Sequence, residues 1–398
     1  MKYVIVVGDG MSDYPVQKIG GKTPLQVAHK PNMDWIAYNG KSGLLRTIPK
    51  GTDPGSDIAI MSILGYDPKR FHTGRGPIEA AALGIKLDGG AVAFRCNLIT
   101  AENGIIKDYS GGHITTKEAK KLLDAISKKY GNIGEFHVGL SYRNIFVLKN
   151  ALFEAVKIKT TPPHHAVGDK VLDKLASPKK NKIAQLINEM MLDSKNILSN
   201  HPVNILRVKK GQNPANMIWL WGQGGRPDMP SMKEKYGLDG SVISAVMVVK
   251  GVGALAGLDA PEVPGATGYY DTNYSNKARY ALKVLKKRNF VVVHVEAPDE
   301  AGHEGDLDEK IRAIENIDSK IVGKILDGIG DEDFKIAVMA DHPTPVEVRR
   351  HTSDPVPFSV ASSTSRGDGL KCYDEESAKK GSLGLMMGPM FIKKMIEI

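Results

Sequence analysis

The sequence predicts an α/β protein in which a doubly wound, mostly parallel sheet is interrupted by a smaller α/β domain. Three observations predict it. Continuous, β-branched apolar runs stand at 3–7, 290–295 and 335–340, the pattern of strands buried on both faces. Helical periodicity fills 24–38, 275–288 and 307–327 between such runs. From about 90 to 240 the texture changes to short strand-like segments with frequent lysine. A chain of 398 residues is also long for one core. The expected division is a larger domain from 1–88 and 242–398, with 89–241 inserted.

The elements follow in order. Residues 3–7 form a strand that Gly8-Asp9-Gly10 breaks, so Asp9 stands at its C-terminal edge. Thr52-Asp53-Pro54-Gly55-Ser56 is a turn, and 57–64 is a short apolar helix ending at Gly65. Ser56 therefore sits at or near a helix N-terminus, where free N–H groups favour an anion. Pro77, after Gly74-Arg75-Gly76, suits the first turn of another helix. In the inserted segment, strands are expected at 91–99, 136–139 and 143–149, and helices at 116–129 and 181–193. Gly211 to Gly240, with Trp219-Leu220-Trp221-Gly222-Gln223-Gly224-Gly225, has loop composition. Strands at 242–249, 290–295 and 335–340 then alternate with the later helices.

Bulk properties narrow the function classes. No apolar run is long enough to span a bilayer, and two cysteines, Cys96 and Cys372, cannot form a disulfide framework. A cytoplasmic protein is expected, with no membrane partner. The net charge of +9 is spread along the chain, without an aromatic-interleaved basic stripe, so no nucleic-acid partner is expected. The charge suits steering of a small anionic substrate. Nothing in the sequence specifies an oligomeric state.

The chemistry-bearing residues stand where strands end. Asp9 follows the first strand. Strand 290–295 runs through Pro298 into Asp299-Glu300-Ala301-Gly302-His303, and strand 335–340 runs into Asp341-His342; His351 follows. All are expected in strand-exit loops on one sheet edge, where α/β proteins place their sites. Each piece alone has a plainer explanation, such as a turn aspartate or a helix cap. Together they offer carboxylates and imidazoles that suit Mn, Zn or Mg, and a serine that a metal could turn into a nucleophile.

Gly8-Asp9-Gly10, Gly55-Ser56-Asp57, Pro298-Asp299-Glu300-Ala301-Gly302-His303, Ala340-Asp341-His342 and His351-Thr352-Ser353-Asp354-Pro355-Val356-Pro357 resemble the metal-binding set of the alkaline phosphatase superfamily. Within it the chain resembles the cofactor-independent phosphoglycerate mutases of the shorter, archaeal-type branch, almost end to end. The resemblance implies an alkaline-phosphatase-like fold and two divalent metal ions. One is held by Asp299, His303 and His351, the other by Asp9, Asp341, His342 and the Ser56 hydroxyl. It implies interconversion of 3- and 2-phosphoglycerate through a phosphoserine, without bisphosphoglycerate. Manganese is favoured, with Mg, Zn or Co possible.

In the resembling mutases the inserted domain grips phosphate and carboxylate through Arg and Lys. Arg75, Arg95 and Arg143 are the candidates, since guanidinium forks match those groups. Lys277 is a further anion contact, and Asp108 and His113 are candidates for proton transfer as the glycerate turns. Two departures bear on the acceptor: the branch commonly carries Arg where this chain has Trp221 and where it has His113. A bacterial subgroup similar in the Trp-Gly-Gln-Gly stretch has been proposed to act as a homoserine kinase. Phosphoryl transfer to homoserine is thus one alternative and a plain metal-dependent phosphatase another. A binding protein that kept the fold is a third, opposed by the intact serine and ligand set.

Overall fold

The structure, a computed structural model, describes residues 1–330 and 332–398. It forms two compact units, Met1–His72 with Met229–Ile398, and Thr73–Asp228. The expected borders at 88/89 and 241/242 therefore move. Helix Arg75–Ala82 belongs to the second unit because it packs on strands Val92–Glu102 and Met217–Gly224. Residues 229–241 belong to the first, where the Tyr66 hydroxyl donates to the Pro230 carbonyl at 2.7 Å and Lys235 to that of Gly65 at 2.5 Å.

In the first unit a seven-stranded sheet has the order Gly384–Met387, Gly40–Arg46, Val356–Ser362, Phe334–Ala340, Lys2–Gly8, Phe290–Val295, Gly240–Ile243. The last four named are mutually parallel. Phe334–Ala340, Lys2–Gly8 and Phe290–Val295 are almost wholly buried, as their β-branched composition requires. Helices Pro31–Asn39 and Tyr274–Leu285 cover the sheet together with the segment from Leu307 to Ile329. Helices Ser56–Ile63, Met247–Leu255 and Phe391–Glu397 form a second set.

Several expectations shift here. The helix expected over 24–38 is two helices, Pro24–Val27 and Pro31–Asn39, because Pro31 cannot continue the first. The pattern at 307–327 breaks into Leu307–Ile317 and Lys324–Ile329 around a π-helical turn at Asp318–Gly323. Buried Asp318 caps the Pro31–Asn39 helix through the Met33 N–H at 2.7 Å. The strand expected over 242–249 is only Gly240–Ile243, and Met247–Leu255 is helical. An unbroken apolar run has no period to separate a buried strand from a buried helix.

The second unit is an antiparallel sheet. Long strand Val92–Glu102 pairs with Ile105–Asp108, Arg143–Leu148 and Met217–Gly224, and Glu135–Leu140 pairs with Arg143–Leu148. Helices Thr116–Tyr130 and Lys182–Ser199 pack on it. The stretch expected as loop at 217–224 is a strand. Its Ile218, Trp219, Leu220 and Trp221 are buried, and backbone closeness explains its glycines: a Cβ on Gly224 would lie 2.3 Å from the Thr73 carbonyl oxygen.

Candidate metal centre

Register places the acids together. Gly8 pairs with Ala340 on one side and Val295 on the other, so Asp9 and Asp341 leave adjacent parallel strands side by side. Gly10 follows with φ of +57°, and a Cβ there would lie 2.4 Å from Asp299 Oδ1. Its N–H donates to Asp341 Oδ1 at 3.1 Å. Buried Lys310 ties two of the exit loops together, donating to Asp13 Oδ2 at 2.7 Å and to the Thr344 carbonyl at 2.8 Å.

Asp299 and His303 lie not in a loop, as expected, but on helix Ala297–Glu304, where a spacing of four puts both on one face. His303 Nε2 is 3.3 Å from Asp299 Oδ2, and His351 Nε2 is 3.4 Å from Asp299 Oδ1. The two Nε2 atoms are 2.9 Å apart. Asp299, His303 and His351 thus form one group able to hold an ion.

A second group adjoins it, for the rings of His342 and His351 stack at 4.0 Å. His342 Nε2 lies 3.4 Å from Asp9 Oδ1 and 3.4 Å from Asp341 Oδ2. Ser56 is the first residue of helix Ser56–Ile63, and its Oγ lies 3.4 Å from both Asp9 oxygens and 3.4 Å from His342 Nε2. All seven predicted residues are therefore brought together.

The donor set fits divalent cations. Ligands bonded to one ion at about 2.0–2.2 Å stand roughly 3 Å from each other, the separations found here. Each of these histidines has its Nδ1 engaged elsewhere: His303 with the Arg349 carbonyl at 3.1 Å, His351 with that of Pro54 at 3.3 Å, and His342 with Thr344 Oγ1 at 3.3 Å. Such partners fix the tautomer and aim Nε2 inward. Asp341 Oδ2 is buried without a hydrogen-bond partner.

Electrostatics say the same. Burial, then the charges of Asp341, Asp299 and Glu296, push the Asp9 carboxyl well above the usual range. Burial opposes ionisation of Asp299 too, but hydrogen bonds from His303 and His351 outweigh it and hold its carboxyl well below the usual range. The bond to Asp299 lifts His303 to about 9. Carboxylates this close and this buried need cations to stay charged together.

Two residues that sequence reasoning missed join the site. Thr344 Oγ1 donates to Asp299 Oδ1. His294, fully buried in strand Phe290–Val295, has Nε2 3.2 Å from Asp9 Oδ2. Its signal was a lone polar side chain inside an otherwise apolar strand.

Lys277, the further anion contact expected from the sequence, belongs to the first unit, on helix Tyr274–Leu285. It is 1% exposed and donates to the His294 carbonyl at 2.9 Å. Burial lowers its pKa to about 8. In the second unit Arg95 is buried, with Nε 3.2 Å from Glu79 Oε2 and its guanidinium 4.6 Å from the Trp221 ring. Arg75 and Arg143 lie near enough to help depress the Arg95 pKa, after burial, so the three arginines share one region. Arg143 is exposed and lies 4.9 Å from the Tyr142 ring. Asp108 is half-buried and holds its own loop: Oδ1 accepts from Ser110, and Oδ2 from the Gly112 N–H and Asn213. Those bonds outweigh burial and lower its pKa. His113 is exposed at φ of +51°, and its N–H donates to Ser110 Oγ.

Comparison with known proteins gives one consistent result. A family model described as 2,3-bisphosphoglycerate-independent phosphoglycerate mutase matches residues 37–204. The protein named 2,3-bisphosphoglycerate-independent phosphoglycerate mutase 2 from Methanothermobacter thermautotrophicus is 52% identical over 384 residues, 96% of this chain and 94% of that one. A protein of Methanosarcina acetivorans named as such a mutase is 48% identical over the full length of both. Among solved structures, the PH0037 protein of Pyrococcus horikoshii matches with a TM-score of 0.85 and 31% identity, covering 100% of this chain and 96% of that one. The cofactor-independent phosphoglycerate mutase of Thermoplasma acidophilum matches with a TM-score of 0.69 and 30% identity, covering 100% and 99%.

Proposed function

The chain belongs to the 2,3-bisphosphoglycerate-independent phosphoglycerate mutases, and on that premise we propose that Ser56 carries the phosphoryl group between the two hydroxyls of glycerate. The observation that carries this reading is the place of Ser56 Oγ, 3.4 Å from Asp9 and from His342 at the start of a helix. Its oxygen attacks the phosphorus of 3-phosphoglycerate. A new P–O bond forms to Ser56, the bond to the C3 oxygen breaks, and that oxygen takes up a proton. The 2-hydroxyl then attacks the phosphoserine, loses its proton, and 2-phosphoglycerate leaves with Ser56 restored. Free N–H groups at the helix start favour the phosphate.

Two divalent cations, manganese by preference, with Mg, Zn or Co as substitutes, would be held by Asp299, His303 and His351 and by Asp9, Asp341, His342 and Ser56; when bound they make the serine alkoxide accessible and neutralise phosphate oxygens. Thr344 keeps Asp299 oriented. Lys277, next to the His294 carbonyl, adds buried positive charge that offsets the acids.

Arg75 and Arg143 grip the substrate's anionic groups in this reading. Arg95, held against Glu79 and Trp221, contributes field and shape from its buried position. Trp221 stands where the branch commonly carries arginine, and its Nε1 donates to Asn97 Oδ1 at 3.0 Å. His113 accepts or releases protons at the reorienting glycerate, with Asp108 as the anchor of its loop. The enzyme works in the cytoplasm on a small phosphorylated substrate; among the described residues no helix is long and apolar enough to cross a membrane.

The test is an enolase-coupled assay with 3-phosphoglycerate on protein stripped of metal and reloaded with manganese, without bisphosphoglycerate. Turnover that disappears in Ser56→Ala is the expected result. Metal-loaded protein without mutase turnover, but with ATP-dependent phosphorylation of homoserine, would overturn the reading and give the Trp221 and His113 departures a different meaning. Rapid release of phosphate from generic esters would instead mark a phosphatase.

A further inference from the structure

Four histidines, not three, are built alike around this centre. His294 is the penultimate residue of strand Phe290–Val295, paired with Val7, one residue before the strand end that faces Gly8. Its Nδ1 is 3.3 Å from Ser244 Oγ, which is itself fixed by accepting the Val246 N–H at 3.0 Å. That leaves Nε2 pointing inward, as in His303, His342 and His351, whose Nδ1 atoms are engaged in the same way.

The inward atom has no hydrogen-bond partner, although His294 is fully buried. Asp9 Oδ2 lies 3.2 Å away, but out of hydrogen-bond alignment. Asp341 Oδ2 is a second buried orphan, and Asp9, His294 and Asp341 each offer an atom within 4.8 Å of the others. A buried imidazole nitrogen left unpaired is destabilising, and so is an unpaired carboxylate oxygen. A cation held between Asp9, His294 and Asp341 would satisfy both orphans. A protonated Nε2 bonded to Asp9 would explain only one of them.

We propose that His294 is a direct ligand of the inner divalent cation, joining Asp9, Asp341 and His342. This rests on the reading of the centre as a two-metal site and adds to it a donor from inside a strand. Ser244 then acts on the ion through His294, by holding the ring in the tautomer that presents a lone pair. Lys277, bonded to the His294 carbonyl, fixes the same strand end from outside.

The test loads the full chain with two equivalents of Co(II) and counts the hyperfine-shifted, solvent-exchangeable imidazole N–H proton resonances in the NMR spectrum. Each histidine bound through Nε2 gives one, from its Nδ1–H. Four resonances are expected in the wild-type protein, and three in His294→Gln, with Co(II) affinity at one site lowered by about tenfold or more. Three resonances in the wild type, unchanged in His294→Gln, would overturn the proposal while leaving the two-metal reading intact. No shifted resonance at all would sink both. The wild-type count needs no variant to fold. Ser244→Ala supplies an independent check, since it should broaden or shift one resonance of the four and leave the others in place.

Discussion

The Nε2 atoms of His303 and His351 stand 2.9 Å apart, each facing a different oxygen of Asp299. Two nitrogen lone pairs at that distance repel unless a proton or a cation lies between them. His351→Ala removes one side of this arrangement. Metal affinity of that group should fall by at least the roughly 10- to 100-fold that loss of a ligand's outer-shell partner costs, and mutase activity with it. Isothermal titration with Mn(II) checks this; unchanged affinity with lost activity would remove His351 from the ligand set.

Ser56→Ala should lower turnover by a factor of roughly 10⁴ to 10⁶, the range found when a single residue of a serine-protease triad is removed. Metal content, read by elemental analysis, should stay mostly intact because Asp9, Asp341 and His342 remain. Near-normal turnover in this variant would dismiss the phosphoserine route.

Lys310→Met should destabilise the first unit by about 3–5 kcal/mol, since it strands Asp13 as a buried unpaired charge. Urea unfolding measures the loss. Replacing Asp13 by Leu in the same chain should restore part of it. A double variant no more stable than Lys310→Met would show that the pair matters for its carbonyl contacts instead.

Acid should weaken the second unit through His164. Burial, then the neighbouring charges of His165, Arg75, Arg95 and Arg143, lower its pKa from 6.5 to about 4. Between those values the unfolded chain takes up a proton that the folded one refuses. Its contribution to stability is therefore full above pH 6.5 and lost as pH falls through about 4. His164→Asn should flatten this limb in urea midpoints measured across that window. Equal slopes in both proteins would assign the acid sensitivity elsewhere.

The acids of the candidate metal centre were legible because they end strands whose composition announces burial: Val4 to Val7 before Asp9, and Ile336 to Ala340 before Asp341. Ser56 was legible from the Pro54-Gly55 turn before an apolar helix. What was not legible depended on distant partners. The Trp219–Gly224 strand looks like a loop until the Thr73 backbone is seen against Gly224. Met247–Leu255 shares the apolarity of a strand, and only its packing against helix Ser56–Ile63 separates the two. His294 lay hidden inside a strand because its meaning comes from Asp9 and Asp341, at opposite ends of the chain.

The position of Lys2–Gly8 between Phe334–Ala340 and Phe290–Val295 has a consequence for biosynthesis. Lys2–Gly8 leaves the ribosome well before either of its sheet neighbours, Phe290–Val295 or Phe334–Ala340, has been made, and Gly40–Arg46 likewise waits for Val356–Ser362. Thr73–Asp228, contiguous in sequence, can close its own sheet during that interval. Synthesis therefore favours closing the contiguous unit Thr73–Asp228 before the sheet that forms around Lys2–Gly8.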